Sequence, residues 1–380
     1  MLQSVDLQLF KCFRRLRLPL APLTLLTGTN ASGKSTVLQA LVLLQQTMLD
    51  HEWAGRLHLN GSQLTLGRVR DVVDKVNGRR EFSLSLQDAR TEITWNFSSA
   101  GDRDAMSAAV GSIIIQGRRY DEPGRLRHLV PEPDGAAAEL VGRLLRQTYL
   151  TAERVGPRDY YELQDSSLPQ LVGARGENSV GLLFQRRDEM VQEPLLVANT
   201  DPRLFHQVEA RMRQFFPGTR LQLKQVQETN LVSLGLKTSD ATDFHRPVHV
   251  GFGLTQVLPI VVAALAARPG DIVLLENPEV HLHPIGQAEM GRFLAEVAAT
   301  GVQVLAESHS DHVLNGIRRA VKGGRLEASQ VLLHFFQSRD SAPSQVITPI
   351  IDSRGVIDHW PAGFFDQYDK DLNYFADWGE

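Results

Sequence analysis

The chain has 380 residues, of which 42% are hydrophobic, and its formal net charge is −4. This length suits one elaborated domain or two ordinary domains, and the charge excludes a generally basic nucleic-acid binder, so a nucleic-acid contact would have to be a local basic stripe. The single cysteine, Cys12, excludes an internal disulfide, and no apolar run reaches the roughly 20 residues of a membrane helix. Because a signal peptide is also lacking, we expect a cytoplasmic protein that does not enter a membrane.

A phosphate-binding loop is predicted near the start of the chain. Residues 28–36 match G-x-x-x-x-G-K-[ST], between an apolar strand at 23–27 and a helix at 35–49. The glycines permit a tight loop of backbone N–H groups, Lys34 would neutralise the β and γ oxygens of ATP, and the Ser35 hydroxyl would bind Mg²⁺. The candidate nucleotide-binding residues are Gly28, Asn30, Ala31, Ser32, Gly33, Lys34, Ser35 and Thr36.

An antiparallel β-layer is predicted after this loop. Apolar residues alternate with polar ones at 82–86 and 93–97 around a polar turn, and 112–115 is a further short strand. The region 131–247 is less regular, with helices expected at 139–149 and 202–216. The apolar stripe of the second helix (Leu204, Phe205, Val208, Met212 and Phe215) is interpreted as core packing. No heptad repeat is sustained, so a long coiled-coil arm is not expected.

An anion-binding helix start is predicted at the beginning of the next segment. Gly251, Gly253, Thr255 and Gln256 precede or begin an apolar helix, although a glycine-rich loop that merely enters a core helix is the alternative. One chain cannot easily bring two helix N-termini to opposite sides of one γ-phosphate, whereas two chains arranged head to tail can. The pattern therefore predicts a homodimer that holds ATP between its subunits.

Polar side chains follow the next two predicted strands. The strand 272–275 ends in Glu276, Asn277 and Glu279, where one carboxylate could hold Mg²⁺ and a second could orient the attacking water. The strand 302–306 is followed by His309, at the sheet edge where ligands bind in open α/β folds. Helices at 285–299 and 311–321 and strands at 331–336 and 345–351 complete the pattern.

The order of these motifs resembles the RecF/SMC/OLD-like ABC-class ATPases, in particular the stand-alone prokaryotic AAA ATPases found beside defence and DNA-modification genes. The segments 9–13 and 151–158 and the tail 352–367 carry further similarity, although no role is assigned to 151–158. The resemblance implies an α/β fold, an ABC-type P-loop ATPase head with an antiparallel β-subdomain and a mainly helical insertion. The implied units are an ATPase lobe at 1–130, the insertion at 131–247, a second lobe at 248–345 and an extension at 346–380.

The resemblance also implies roles for single residues. Glu276 would be the Walker B carboxylate on the Mg²⁺ side, His309 the switch histidine, and 251–256 the signature loop that reaches the partner's nucleotide. The family's second carboxylate is replaced by Asn277, so Glu279 is the base or hydrolysis is slow. The signature also departs from the usual Leu-Ser-Gly-Gly-Gln. For the Q-loop glutamine, Gln63 and Gln87 are both candidates.

His281 and His283 fall where the family has a dimer-contact loop. A zinc site formed by this pair is the competing interpretation, but the sequence offers no cysteine or further spaced ligand beside them.

Two functions are compatible with the predicted ATP-dependent dimer. The first is an ATP-gated dimer that acts on DNA or RNA, or on an effector such as a nuclease or toxin. The second is an ATP-dependent scaffold for such an effector without nucleic-acid contact; a transporter ATPase subunit is disfavoured by the signature, the insertion and the tail. The basic clusters at 118–119, 186–187 and 318–325 are more commonly solvated surfaces than nucleic-acid contacts.

Overall fold

The structure is a computed structural model that describes residues 1–73, 80–99, 101–131, 135–165, 170–239, 241–337 and 345–376. The strands are β1 (Leu2–Phe10), β2 (Phe13–Pro19), β3 (Leu23–Gly28), β4 (Arg56–His58), β5 (Glu81–Asp88), β6 (Glu92–Ser98), β7 (Ser107–Ile115), β8 (Arg118–Asp121), β9 (Thr148–Leu150), β10 (Tyr160–Glu162), β11 (Arg220–Gln225), β12 (Leu231–Lys237), β13 (Ile272–Glu276), β14 (Gln303–Glu307), β15 (Val331–Phe336) and β16 (Val346–Ile347). The helices are α1 (Lys34–Asp50), α2 (Val69–Val72), α3 (Gly135–Leu145), α4 (Ser179–Gln185), α5 (Leu204–Phe215), α6 (Phe252–Ala266), α7 (Pro284–Ala299), α8 (Asp311–Lys322) and α9 (Gln367–Phe375). Within these residues no helix is long and apolar enough to cross a bilayer.

A six-stranded sheet in the order β16-β15-β3-β14-β13-β9 forms the centre of the fold, and all its pairings are parallel except that of β16. Successive residues of its strands enter two different hydrophobic cores. Leu26, Leu274 and Leu305 pack on the side of α1, whereas Leu25 and Leu275 pack on the side of α6, α7 and α8. Because both faces are covered, these strands are apolar throughout until their last residues.

A second sheet is antiparallel and packs against the α1 side of the first. Its order is β2-β1-β5-β6-β7-β4, and β8 pairs with β7. The predicted hairpin is confirmed as β5 and β6, with Phe82 opposite Phe97, and the short strand at 112–115 is the end of β7. The β1–β2 turn brings Cys12 beside the loop that precedes α1.

The middle of the chain combines helices α3 to α5 with a small antiparallel sheet in the order β10-β12-β11. The stripe on α5 is buried in the main core, which confirms its interpretation as packing, although Phe205 is only partly buried. The helix predicted at 139–149 is wrong at its end, because α3 stops at Leu145 and 148–150 forms β9. Tyr149 pairs with Leu274, so this short strand belongs to the central sheet, and the predicted boundaries of the insertion remain predictions.

The C-terminal segment, residues 345–376, packs on α8 and β15. Phe364 is fully buried against Phe335, and Arg318 of α8 donates a hydrogen bond to the Gly355 carbonyl and lies over the Trp360 ring. The strand predicted at 345–351 is shorter in the structure, where it is β16.

Candidate nucleotide-binding site

The loop between β3 and α1 has a backbone that requires glycine at two positions. Gly28 has φ 136° and Gly33 has φ 104°, both in the region that side chains disfavour. A Cβ atom on Gly28 would lie 2.1 Å from the Phe336 carbonyl oxygen, and one on Gly33 would lie 2.5 Å from the Cys12 Sγ. The loop can therefore keep this shape only with the two glycines of the motif.

A cavity of about 650 Å³ opens beside this loop. Its lining includes Asn30, Ala31, Gly33, Lys34, Ser35 and Thr36, together with Lys11, Gln39, Glu307 and His309. Ser32 is buried instead, and its hydroxyl donates to the Thr29 carbonyl over 2.7 Å, which holds the loop closed. Six of the eight predicted loop residues therefore line this cavity, whereas Ser32 supports the loop and Gly28 borders a different cavity beside His309.

Lys34 is buried at the first position of α1. Its Nζ donates to the carbonyls of Gly28 (3.1 Å) and Thr29 (2.8 Å) and lies 3.7 Å from the Glu307 Oε1. Burial lowers the pKa of Lys34, and the Glu307 carboxylate opposes that shift. The loop thus places a positive charge where the motif predicts contact with phosphate oxygens.

Two carboxylates lie side by side at the carboxyl edge of the sheet. Glu276 and Glu307 are the last residues of neighbouring strands and face each other in register. The Tyr149 hydroxyl donates to the Glu276 Oε1 over 2.8 Å. Burial raises the pKa of Glu307, while Ser35 and Lys34 favour its ionised form. The sequence motifs assign no role to Glu307, although alternation along a strand next to β3 places it on the face of α1.

Arg154 holds the turn that follows β13. Its Nη2 donates to the carbonyls of Glu276 (2.6 Å) and Asn277 (2.9 Å), and burial lowers its pKa to about 10 against the opposing charges of Glu279 and Glu276. The segment 151–158 had no role in the sequence analysis. Its contact with this turn depends on the pairing of β9 with β13, which local periodicity does not reveal.

Glu279 and His309 are joined through the backbone. The buried Glu279 Oε1 accepts a hydrogen bond from the His309 N–H over 2.9 Å, while the His309 ring borders the cavity. Partial burial and the nearby Lys34 charge lower the pKa of His309, and Glu279 opposes this. The structure therefore brings Glu279 to the His309 backbone and places Glu276 beside Glu307, which in turn interacts with Ser35.

The predicted signature residues lie apart from this cavity. Gly251 precedes α6 and is exposed, and Gly253 packs closely against the His281 carbonyl. Thr255 and Gln256 are buried and bond within their own chain, to the Phe252 carbonyl and the Val155 carbonyl. Among the lining residues that the structure describes, the cavity includes none of these four.

The remaining candidates are also not among the described residues that line this cavity. Gln63 bonds to Gln45, and Gln87 bonds to Ser4, so neither lines the described part of the cavity. His281 and His283 are exposed, and the described residues contain no group of three or more His, Cys, Asp or Glu side chains that could hold a metal ion.

Mg²⁺ and ATP fit the residues present. A loop of glycine-dependent shape, a buried ammonium, a serine hydroxyl and adjacent carboxylates are the donors and charges that a Mg²⁺–triphosphate requires. The Oε2 atoms of Glu307 and Glu279 are buried without a hydrogen-bond partner among the described residues.

Comparisons with solved structures match the fold. The Smc head domain with an extended coiled coil from Pyrococcus furiosus, bound to the C-terminal domain of ScpA, aligns with 10% identity over 99% of each chain at a TM-score of 0.54. An SmcHead bound to the C-winged helix domain of ScpA aligns with 14% identity over 91% of this chain and 97% of that one, at a TM-score of 0.49. The SMC head domain from Thermotoga maritima aligns with 12% identity over 92% of this chain and 99% of that one, at a TM-score of 0.44. The first of these confirms the predicted fold class, an ABC-type P-loop ATPase head.

Family models cover most of the chain, and no curated protein matches it. A model described as "Protein of unknown function (DUF3696)" matches residues 326–374, which include most of the C-terminal segment. A model described as "AAA domain, putative AbiEii toxin, Type IV TA system" matches residues 23–315, well over half of the chain. The chain therefore belongs to this AAA domain, AbiEii-type family.

Proposed function

We propose that the protein binds Mg²⁺–ATP at the loop 28–36, hydrolyses it slowly and uses it to gate an effector. The observation that carries the proposal is the loop itself, with two obligatory glycines and Lys34 buried beside a cavity of about 650 Å³. Membership of an AAA-domain family and the ATPase-head fold support nucleotide binding.

Each residue of the site has a separable task. The backbone N–H groups at the start of α1 bind phosphate oxygens, and Lys34 exchanges its carbonyl contacts for them. Ser35 and Glu276 would hold Mg²⁺, and the Tyr149 hydroxyl orients Glu276. Bound Mg²⁺ supplies the positive charge that neutralises the phosphates. His309 senses the end of the phosphate chain, and Glu279 positions it or accepts a proton from water.

We infer that ATP pairs two chains because the signature loop 251–256 lies apart from the phosphate-binding loop 28–36 of the same chain. Because α6 begins outside the described lining of its own chain's cavity, its N-terminus is available to a partner's nucleotide. We propose a head-to-tail homodimer that controls a nuclease or toxin effector in defence or repair. The matching family is described with a type IV TA system, which supports a role in defence.

Direct contact with DNA or RNA is the finer part of this proposal, and one surface favours it. Arg318, Arg319, Lys322 and Arg354 line a groove of about 510 Å³ between α8 and the C-terminal segment. The clusters at 118–119 and 186–187 include arginines paired with nearby carboxylates, and in the groove Arg354 is likewise paired with Asp352. Binding that weakens steeply with salt, and less steeply in Lys322→Ala, would favour nucleic-acid contact over the scaffold alternative.

The Lys34→Ala variant tests the nucleotide assignment. Removing the ammonium should weaken ATP binding by about 10- to 100-fold or more, because hydrogen bonds between charged groups contribute about 1.5–3 kcal/mol. Titration of a fluorescent ATP analogue measures this, with the exposed Lys224→Ala as the matched control. Equal affinity of wild type and Lys34→Ala would refute the assignment.

A further inference from the structure

The register of two strands places a second carboxylate beside the predicted magnesium residues. Glu276 and Glu307 are direct neighbours across β13 and β14. The preceding residues Leu274 and Leu305 pack on the α1 side of the sheet, so residues two positions further along project toward the same side. Both carboxylates therefore face the start of α1, where Ser35 lies.

The surroundings of Glu307 are unusual for a structural glutamate. Glu307 is only 6% exposed, and its Oε2 has no hydrogen-bond partner within the described parts of the chain. Its other oxygen lies 3.7 Å from the Lys34 Nζ, and the Ser35 side chain acts on the same carboxylate. A buried carboxylate oxygen without a partner costs free energy unless a cation or donor completes its surroundings.

We propose that Glu307 is a second magnesium-binding carboxylate of this site, which rests on the proposed binding of Mg²⁺–ATP. The residue after Glu276 is Asn277, so the loop that follows β13 supplies an amide there instead of a second acid. The neighbouring strand supplies the acid. Because Glu307 contacts the Ser35 side and Glu279 contacts the His309 backbone, Glu307 acts on the metal and not on the switch histidine.

This assignment predicts an unusually strong coupling between metal and nucleotide. Without Mg²⁺, two carboxylates at one edge repel the negative phosphates, and Lys34 is partly neutralised by Glu307. With Mg²⁺, the same carboxylates attract the cation. Removing the charge of Glu307 should therefore change ATP affinity in opposite directions under the two conditions, whereas a purely structural residue would change both in the same direction.

The experiment compares wild type with Glu307→Gln. A fluorescent ATP analogue is titrated in excess EDTA and in excess Mg²⁺, and Mn²⁺ binding with ATP is followed by electron paramagnetic resonance. We expect tighter ATP binding in EDTA, and Mn²⁺ affinity lower by about 10- to 100-fold, the usual effect of losing a residue that supports a metal. Asp271→Asn, at the opposite end of β13, is the matched control and should behave as wild type.

Each outcome has a defined meaning. A metal dependence of Glu307→Gln equal to that of wild type overturns the assignment of Glu307 but leaves ATP binding intact. Failure of wild type to bind ATP in Mg²⁺ overturns the proposed function itself. If Glu307→Gln melts much earlier than wild type, Glu307→Asp decides: it keeps the charge but shortens the reach, so it should weaken Mn²⁺ binding and leave affinity in EDTA unchanged. Unchanged Mn²⁺ binding in Glu307→Asp would also overturn the assignment.

Discussion

At the scale of single residues, the turn after β13 decides which group can act on a water molecule. Asn277 has φ 43°, a left-handed conformation that asparagine tolerates better than most residues. The turn bends the chain so that Glu279 reaches back to the His309 backbone. Asn277 can hydrogen-bond water but cannot accept its proton, so Glu279 is the candidate base of a slow reaction.

Two substitutions test this slow hydrolysis. Because general-base help contributes about 10²–10⁴-fold, Glu279→Gln should lower ATP turnover by about 100-fold or more. Glutamine keeps an acceptor for the His309 N–H, so ATP affinity should stay unchanged. Steady-state phosphate release measures turnover. A wild-type rate well above about 10 s⁻¹, the median for enzymes, with no effect of Glu279→Gln, would contradict the prediction.

Asn277→Glu supplies the complementary test of the same prediction. If Glu279 does not serve as base, the new carboxylate should speed hydrolysis, at a backbone cost of about 1–3 kcal/mol for its left-handed conformation. Asn277→Gln carries the same strain without the charge and is its matched control. A gain in both variants would show that shape and not the carboxylate is responsible.

Residues whose roles follow from a local motif were predictable, and residues that act through pairing were not. The loop 28–36 is read directly because its chemistry and spacing are contiguous in sequence. Glu307 and Arg154 depend instead on which strand lies beside β3 and which beside β13. Without the strand order, alternation gives the face of Glu307 but not its neighbour.

At the scale of elements, the central sheet brings the site together by its strand order. Because β14 lies between β3 and β13, the carboxyl ends of three strands converge on the start of α1. Long strands and helices with uniform apolar patterns were predicted close to their observed bounds. The short strand β9 was not, since three residues carry no periodic signal and its place is fixed by pairing with β13.

Strand β15 contains a buried histidine that makes stability depend on pH. The His334 Nε2 donates to the Pro19 carbonyl and its Nδ1 accepts from the Thr348 hydroxyl, both over 2.9 Å. Burial lowers the pKa of His334 from 6.5 to about 4. Between these values the unfolded chain binds a proton that the folded chain does not, so the free energy of unfolding should fall as pH drops from about 6.5 toward 4, by about 3 kcal/mol in total.

The His334→Gln variant isolates this contribution. Glutamine can bond to the same two oxygens but does not titrate, and the other titrating groups contribute equally to both proteins. Urea unfolding at several pH values should therefore show a shallower acid dependence for His334→Gln than for wild type. Parallel pH profiles would mean that His334 is not the titrating group.

At the scale of the whole molecule, the C-terminal segment packs on the ATPase head close to the candidate nucleotide-binding site. Gly363 and Lys370 border a second cavity of about 270 Å³ together with Gly28 and His309. The segment is anchored on α8, the helix that begins two residues after His309. We therefore expect a movement of His309 on nucleotide binding to reach the surface that this segment presents, and this surface is the candidate contact for the proposed effector.

Pairing of two whole chains is the largest consequence of the proposed function. ATP and Mg²⁺ should promote a symmetric dimer, in which the start of α6 covers the partner's loop. Phe252 is suited to this contact because it is 45% exposed and rests edge-on against His281. Light scattering should therefore show a doubled mass with ATP, most clearly in Glu279→Gln, in which the proposed base is removed and ATP should persist longest.

Phe252→Asp should weaken this dimer by about 2 kcal/mol or more, the usual loss when a central aromatic contact is removed. The substitution leaves α6 intact, since an acidic residue at a helix start is favoured by the helix dipole. Met190→Asp, which makes the same kind of change at another exposed apolar side chain, is the control. If ATP does not change the mass, one further test asks whether the dimer is constitutive. Cysteines placed at Asn30 and Phe252 in a Cys12→Ala background should cross-link two chains if the dimer is constitutive, and failure to cross-link would refute the head-to-tail arrangement.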